Sequence, residues 1–380
     1  MTKQDKTSGK PVVVVGDGWA ALAAVAWLAT EPEARQGGRP EILWIAGSTS
    51  RILSPLPSLE SSPEHYGAVE TLLELANRLG IDPGQEHSGN FLREFKNKAF
   101  RQPAWTQLEE SLWEPERSIA HCFETRFDRT LAELEEEIRA KLEGPAFPNL
   151  RRIDGNAFSG VRVQSGSVTA AILASGEEIE CESVIYAGRW SALGKIQGLP
   201  KSPVFARRRD PHGLLQTTFI HSTPVGAGVL EGFFSAMNRE AGEELERRVW
   251  GYFSADGMKS HWTVCCSADE SEDNHEIAKK LRRLKQTLEK MFAGSEWFSE
   301  AGARFLANIR DEQVRFEESF IFGAGERPTE VVTIPELKGI SFLTDGYGPS
   351  CSFRQVRLLL NPISGPKEAP QCGIQLSPSG

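Results

Sequence analysis

The apolar positions near the start of the chain run without a break. Residues 12–15 are four consecutive valines, followed by Gly16-Asp17-Gly18 and an alanine-rich stretch that ends near Glu31. An unbroken apolar run lacks the alternation of a half-exposed strand and is typical of a strand buried on both faces of a parallel sheet. The pattern therefore predicts strand, tight turn and helix within residues 11–31.

Further elements follow along the first half of the chain. Residues 41–46 (EILWIA) predict a second strand, residues 66–79 an amphipathic helix and residues 91–105 a hairpin region. Residues 118–142 read as a long charged helix with Glu135 to Glu137 on its solvent face.

From Arg151 the pattern changes to short alternating strands. Runs at 160–163, 167–173 and 179–187, separated by turns at Ser165-Gly166 and at 175–177, predict a small antiparallel meander that ends in VIYAG at 184–188. Gly188 at its end would allow a ligand or another backbone to approach closely.

The pattern of apolar and polar positions changes again in residues 205–335. Strand-like runs at 214–220, 249–255, 262–267 and 318–322, with a helix at 272–292, predict an inserted α+β domain built on an antiparallel sheet. The chain then returns through GISFLTD at 339–345, a glycine turn and a helical run at 352–360, which again reads as strand, turn and helix.

Length and composition are consistent with two domains. We expect residues 1–204 and 336–363 to form an α/β domain with a parallel sheet and the small meander, residues 205–335 the inserted domain, and residues 364–380 a loose tail. A net charge of −9 argues against a nucleic-acid partner, and we expect no integral membrane segment. The six cysteines show neither C-x-x-C nor metal-like spacing, which favours reduced thiols and a cytoplasmic location.

The first glycine turn carries the clearest chemical signal. Gly16, Gly18 and Ala21 follow a G-x-G-x-x-G/A pattern between a strand and a helix, where the helix N-terminus can hold the pyrophosphate of a dinucleotide. The alternative is a buried turn that binds nothing.

The end of the second strand departs from that pattern. An Asp or Glu here would bond the ribose hydroxyls, but the chain has Ala46 and Gly47. Ser48 to Arg51 supply hydroxyls and one guanidinium, with Arg51 able to meet the ribose phosphate of NADP. An ordinary Ser/Thr-rich loop is the alternative.

VVVVGDGWAALAA at the start, VIYAG near the middle and GISFLTDGYG near the end together resemble the flavoprotein family of amine oxidases, protoporphyrinogen oxidases and phytoene desaturases. The resemblance implies a Rossmann-like FAD/NAD(P)-binding domain, with 205–335 as the substrate domain. It also implies a set of FAD-binding positions, which are Gly16, Gly18, Ala21, Val161 through its main chain to adenine, Asp345 and Gly346. Trp19 places an indole in the turn itself, which departs from the family.

Three functions remain open at this point. The first is an FAD-dependent oxidoreductase that oxidises a C–N or C–C bond of a small or amphipathic substrate. The second is a degenerate, non-catalytic family member with a protein partner, and the third is an NADP-binding protein. No general base can be named, although Lys259, His261 and His221 lie in the expected substrate domain.

Overall fold

A computed structural model provides the structure of the chain. It describes residues 9–31, 41–46, 68–88, 91–101, 125–155, 158–188, 190–201, 212–225, 232–237, 248–267, 270, 273–293, 304–318, 331–343 and 349–360. No helix within these ranges has both the length and the apolar content needed to span a bilayer.

The described residues form strands and helices in the following order. The strands are β1 (Val12–Val15), β2 (Ile42–Ile45), β3 (Glu86–Ser88), β4 (Leu92–Lys96), β5 (Ala99–Arg101), β6 (Thr125–Phe127), β7 (Leu150–Ile153), β8 (Phe158–Gln164), β9 (Ser167–Leu173), β10 (Glu178–Glu180), β11 (Ser183–Tyr186), β12 (His212–His221), β13 (Phe233–Met237), β14 (Arg248–Phe253), β15 (Lys259–Ser267), β16 (Ile309–Glu318), β17 (Val332–Ile334) and β18 (Leu337–Phe342). The α-helices are α1 (Trp19–Thr30), α2 (Ala68–Leu79), α3 (Leu131–Leu142), α4 (Asn274–Met291) and α5 (Pro349–Leu360), and short 3-10 helices cover Trp190–Lys195 and Leu306–Asn308.

The first sheet is built on parallel strands in the order β18-β11-β1-β2-β7. The antiparallel meander β8-β9-β10 joins this sheet where β9 pairs with β18. Strand β1 lies between two parallel neighbours, and Val13 and Val14 are fully buried. The unbroken valine run is thus explained by burial on both faces, and the predicted α/β fold class is confirmed.

Helix α1 is buried along nearly its whole length. It packs on β1 and β2 and is covered by α2, α3 and α5. Alanines at most of its positions allow this close approach from several sides, because an alanine side chain needs little space. The N-terminus of this helix is therefore held rigidly at one edge of the sheet.

The second sheet has the order β16-β12-β15-β14-β13-β4-β5 and is antiparallel except where β13 runs parallel to β4. One face packs on α4 around a cluster of aromatic side chains that includes Phe219, Trp262 and Phe292. The hairpin β4–β5, predicted within 91–105, contributes to this sheet. The second sheet thus draws strands from two separate parts of the chain.

Two predicted elements need correction. The strand predicted at 179–187 is divided into β10 and β11, with Cys181 and Glu182 outside both strands. The helix predicted at 118–142 begins only at Leu131, after strand β6. Of the strand predicted at 318–322, only Glu318 is described, as the last residue of β16, and residues 319–322 lie outside the described residues.

Candidate functional site

The glycine turn lies at the carboxyl edge of the parallel sheet, where β1, β2 and β11 end side by side. The Gly16 N–H donates to Ile45 O at 3.1 Å, and the Ala187 N–H donates to Val15 O at 2.7 Å. Gly16 has φ +131°, and a Cβ at this position would lie 2.3 Å from Ala187 O. A glycine is therefore required at this position by the approach of β11, before any ligand is considered.

Donors from the protein hold all three carbonyls of the turn. Trp44 Nε1 donates to Gly16 O at 2.8 Å, and Leu22 N donates to Gly18 O at 2.9 Å as the first turn of α1 forms. Arg139 Nη2 donates to Asp17 O. These bonds orient the carbonyls toward the protein, so the shape of the turn is fixed by its own surroundings.

Arg139 belongs to a buried group of three charged side chains. Its guanidinium contacts Glu135 Oε1 at 3.1 Å and lies 3.9 Å from Asp17 Oδ1. The exposed fractions of the side chains are 3% for Arg139, 8% for Asp17 and 0% for Glu135. The assignment of Glu135 to the solvent face of its helix was therefore wrong, because this carboxylate is buried against the arginine that supports the turn.

Trp19 is the first residue of α1, and its indole packs on helix α5. The ring centroids of Trp19 and Phe353 are 5.2 Å apart. The Trp19 side chain is buried, and its Nε1 has no hydrogen-bond partner among the described residues. The indole that departs from the family pattern therefore fills the space between two helices.

These features can be tested against the pyrophosphate that the resemblance implies. Gly18 occupies the N-cap of α1 and has no side chain with which to cap the helix, and no acidic residue lies in the first turn. A helix N-terminus of this kind favours an anion. Gly18 and Ala21 thus fit the group, whereas the Trp19 indole packs between two helices and the carboxylate of Asp17 opposes an anion.

The other predicted cofactor residues are placed as follows. Gly188 lies just beyond Ala187. A Cβ at Gly188 would lie 2.8 Å from the Tyr186 ring, so the group that approaches Gly188 closely is the Tyr186 side chain. Val161 lies on β8, away from the turn, and its N–H donates to Gln197 O at 2.9 Å. That N–H is already bonded within the protein. Arg51, Asp345 and Gly346 lie outside the described residues.

The two candidate histidines lie on opposite faces of the second sheet. His221 is fully buried on the face toward α4, with Nε2 2.9 Å from Ser260 Oγ, and burial lowers its pKa to about 4. His261 is half-buried on the other face, with Nδ1 3.0 Å from Thr218 Oγ1. Burial, and then the charge of Lys259, lower the pKa of His261 to about 4. Both imidazoles are therefore neutral near pH 7.

The face of the second sheet that carries His261 also carries Tyr252. The Tyr252 ring lies 5.0 Å from the His261 ring, and the Tyr252 side chain is buried. Burial, and then the charges of Glu133, Glu135 and Glu136, raise the pKa of the Tyr252 hydroxyl. Helix α3 therefore provides Arg139 to the glycine turn and places carboxylates near the second sheet.

Sequence analysis missed Trp44, Glu135 and Arg139 as residues of the site. A signal for two of them was present, because Glu135 and Arg139 are four residues apart and adjoin the apolar stripe of α3. For Trp44 the only signal was an indole on a buried strand, since a buried indole N–H usually has an acceptor.

No family model matches the chain, and no curated protein matches it in sequence. Several solved structures have a similar fold. An oxidoreductase from Methanosarcina mazei has TM-score 0.56 at 12% identity, with 92% of this chain and 99% of that chain covered. L-proline dehydrogenase from P. horikoshii has TM-score 0.55 at 11% identity, with 93% of each chain covered. PqsL, a probable FAD-dependent monooxygenase from Pseudomonas aeruginosa, has TM-score 0.51 at 12% identity, with 93% of this chain and 88% of that chain covered. Together with the strand order, these similarities establish a Rossmann-like fold that carries a second, largely antiparallel sheet.

Proposed function

We propose that this chain is an FAD-dependent oxidoreductase with an amine oxidase-like arrangement of domains, which oxidises a C–N or C–C bond of a small or amphipathic substrate. The observation that carries the proposal is the N-terminus of α1, which Gly18 leaves without a side-chain cap at the carboxyl edge of the parallel sheet. The similarity in fold to an FAD-dependent monooxygenase and to a proline dehydrogenase supports it.

Residues beside the first sheet would bind the cofactor, and residues of the second sheet would contact the substrate. The first turn of α1 would bind the pyrophosphate, and the close packing of Ala21 would keep the helix against the sheet. His261 and Thr218 would present neutral hydrogen-bonding groups to the substrate, beside the Tyr252 ring. A bound flavin would supply the hydride acceptor.

Titration of the purified protein with FAD, followed by flavin fluorescence and thermal unfolding, tests this proposal. We expect Gly18→Val to abolish FAD binding because the added side chain blocks approach to the helix N-terminus, while folding is retained. The matched control is Gly9→Val, at an exposed glycine with no heavy atom within 4 Å of an added Cβ. Equal FAD binding by Gly18→Val and the wild type would contradict the site.

A non-catalytic accessory protein is the second candidate. The Asp17 carboxylate between the two glycines of the turn favours this candidate, because a negative charge there opposes the binding of a pyrophosphate. A wild-type protein that takes up neither FAD nor NADPH would support it. Binding of NADPH alone, lost in Arg51→Ala, would instead favour the NADP alternative.

A further inference from the structure

Strand β7 ends beside β2 at the carboxyl edge of the parallel sheet. Ile153 pairs with Ile45, and the Ala46 N–H donates to Ile153 O at 3.1 Å. Asp154 therefore follows β7 at the level at which Ala46 follows β2. Neighbouring strands lie about 5 Å apart, so the carboxylate that is absent from the end of β2 is present on the adjoining strand.

Arg152 places the Asp154 carboxylate on the face of the sheet that packs on α1. The Arg152 guanidinium lies 4.8 Å from the centroid of the Trp44 ring, and Trp44 belongs to the core around α1. Arg152 Nε donates to Asp154 Oδ1 at 2.7 Å. Trp44 in turn donates to Gly16 O, so direct contacts through Arg152 and Trp44 connect Asp154 to the glycine turn.

The Asp154 carboxylate is accessible to a ligand. Its side chain is 69% exposed, and among the described residues only Arg152 forms an ion pair or hydrogen bond with it. Gly155, the next residue, has φ +70°, and an added Cβ would meet no described heavy atom within 4 Å. The described part of the chain therefore leaves room beside this carboxylate for a hydrogen-bond donor.

The chemistry of this position suits a hydroxyl better than a phosphate. An ionised carboxylate only accepts hydrogen bonds, so it pairs with hydroxyl donors and repels a second anion. The neighbouring guanidinium of Arg152 is already paired with Glu143 as well as with Asp154. Arg152 is therefore engaged within the protein and does not present a separate site for a phosphate.

We propose that Asp154 supplies from β7 the carboxylate that β2 lacks, and that it accepts a hydrogen bond from a ribose hydroxyl of a bound adenine nucleotide. The site thus takes a nucleotide with an unmodified ribose, such as FAD or ADP, and discriminates against a nucleotide with a 2′-phosphate. The inference rests on the proposed function, because it concerns the same site. A hydrogen bond to a charged group contributes enough to change a dissociation constant between about tenfold and a hundredfold.

Asp154→Ala tests the inference when ADP is compared with 2′,3′-dideoxy-ADP, which lacks both ribose hydroxyls. We expect calorimetric titration to show that this variant binds ADP between about tenfold and a hundredfold more weakly than the wild type, and dideoxy-ADP equally well. The matched control is Glu180→Ala at the other end of the first sheet, where the Glu180 side chain is 65% exposed and pairs with Lys10 at 3.5 Å. Its affinity for ADP should equal that of the wild type.

The outcomes separate the inference from the proposed function. Equal binding of ADP by Asp154→Ala and the wild type, or equal weakening of ADP and dideoxy-ADP in the variant, overturns the inference, while FAD binding by the wild type leaves the proposed function standing. Equal binding of the two nucleotides by the wild type also overturns the inference, whether or not the variant folds. Failure of the wild type to bind FAD or ADP overturns both.

Discussion

Neighbouring residues of the turn have different physical roles. Gly16 is fixed by geometry, since β11 approaches so closely that its Ala187 carbonyl occupies the space of a side chain. The main-chain oxygen and the carboxylate of Asp17 both face Arg139, so the role of Asp17 is electrostatic. Gly18 has an extended backbone that any residue can adopt, so a glycine is needed there only for the approach of a ligand to the N-terminus of α1. The variant that tests cofactor binding is therefore at Gly18.

The lowered pKa of the buried His221 predicts that the stability of the protein depends on pH. Its pKa is about 4 in the folded protein and about 6.5 in the unfolded chain, so the unfolded state binds more protons between these values. The contribution of His221 is complete above about pH 6.5 and is lost as the pH falls toward 4. We expect the free energy of unfolding to fall by about 2 kcal/mol from this residue between about pH 7.5 and pH 5.

Denaturant unfolding of His221→Gln at both pH values checks this expectation. The glutamine does not titrate and can retain a hydrogen bond to Ser260, so its loss of stability on acidification should be about 2 kcal/mol smaller than that of the wild type. His261 shifts in the same direction and remains in both proteins, which makes the difference specific to His221. An unchanged pH dependence would mean that His221 is already accessible to protons in the folded state.

Among the helices and strands, α3 connects the glycine turn to the rest of the chain. A capping box fixes the N-terminus of α3. Thr130 Oγ1 accepts from Glu133 N at 3.2 Å, and Glu133 Oε2 accepts from Thr130 N at 2.8 Å. We expect Thr130→Ala to lower the free energy of unfolding by about 1 kcal/mol, as measured in denaturant, because the Glu133 N–H loses its acceptor and Glu133 Oε2 loses the hydroxyl donor.

Thr287→Ala is the matched control for that substitution. The Thr287 hydroxyl donates to Arg283 O within α4 and caps nothing, so its removal should change stability by less than about 0.5 kcal/mol. Equal effects of the two substitutions would show that the capping box contributes nothing beyond an ordinary side-chain hydrogen bond.

Local sequence patterns predicted the helices and strands better than they predicted which of these elements pack together. The valine run, the meander and the return through β18 follow from periodicity and turn residues, which act over a few positions. The threonine and glutamate of the capping box marked the true start of α3, but a continuous charged pattern from residue 118 concealed it. Burial of Glu135 could not be read from charge alone, because it depends on a partner helix.

At the scale of the whole molecule, the turn is assembled from distant parts of the chain. Trp44 is 28 residues from Gly16, and Arg139 is 122 residues from Asp17. Only the packing of β2 and α3 around α1 brings these donors to the turn, so no spacing within the sequence could predict them. Helix α3 also places carboxylates near Tyr252 of the second sheet. Residues of α3 therefore bear both on the proposed cofactor turn, through Arg139, and on the pKa of Tyr252.

Amide hydrogen exchange of the wild-type protein, with and without saturating FAD, tests the central claim most directly. Binding of the pyrophosphate at α1 predicts slower exchange in residues 16–21, because the N–H groups of the turn gain partners. Residues of α4, which lie behind the second sheet, serve as an internal reference and should not change. FAD binding without protection of residues 16–21, or no protection anywhere in the chain, would contradict the assignment of this turn as the cofactor site.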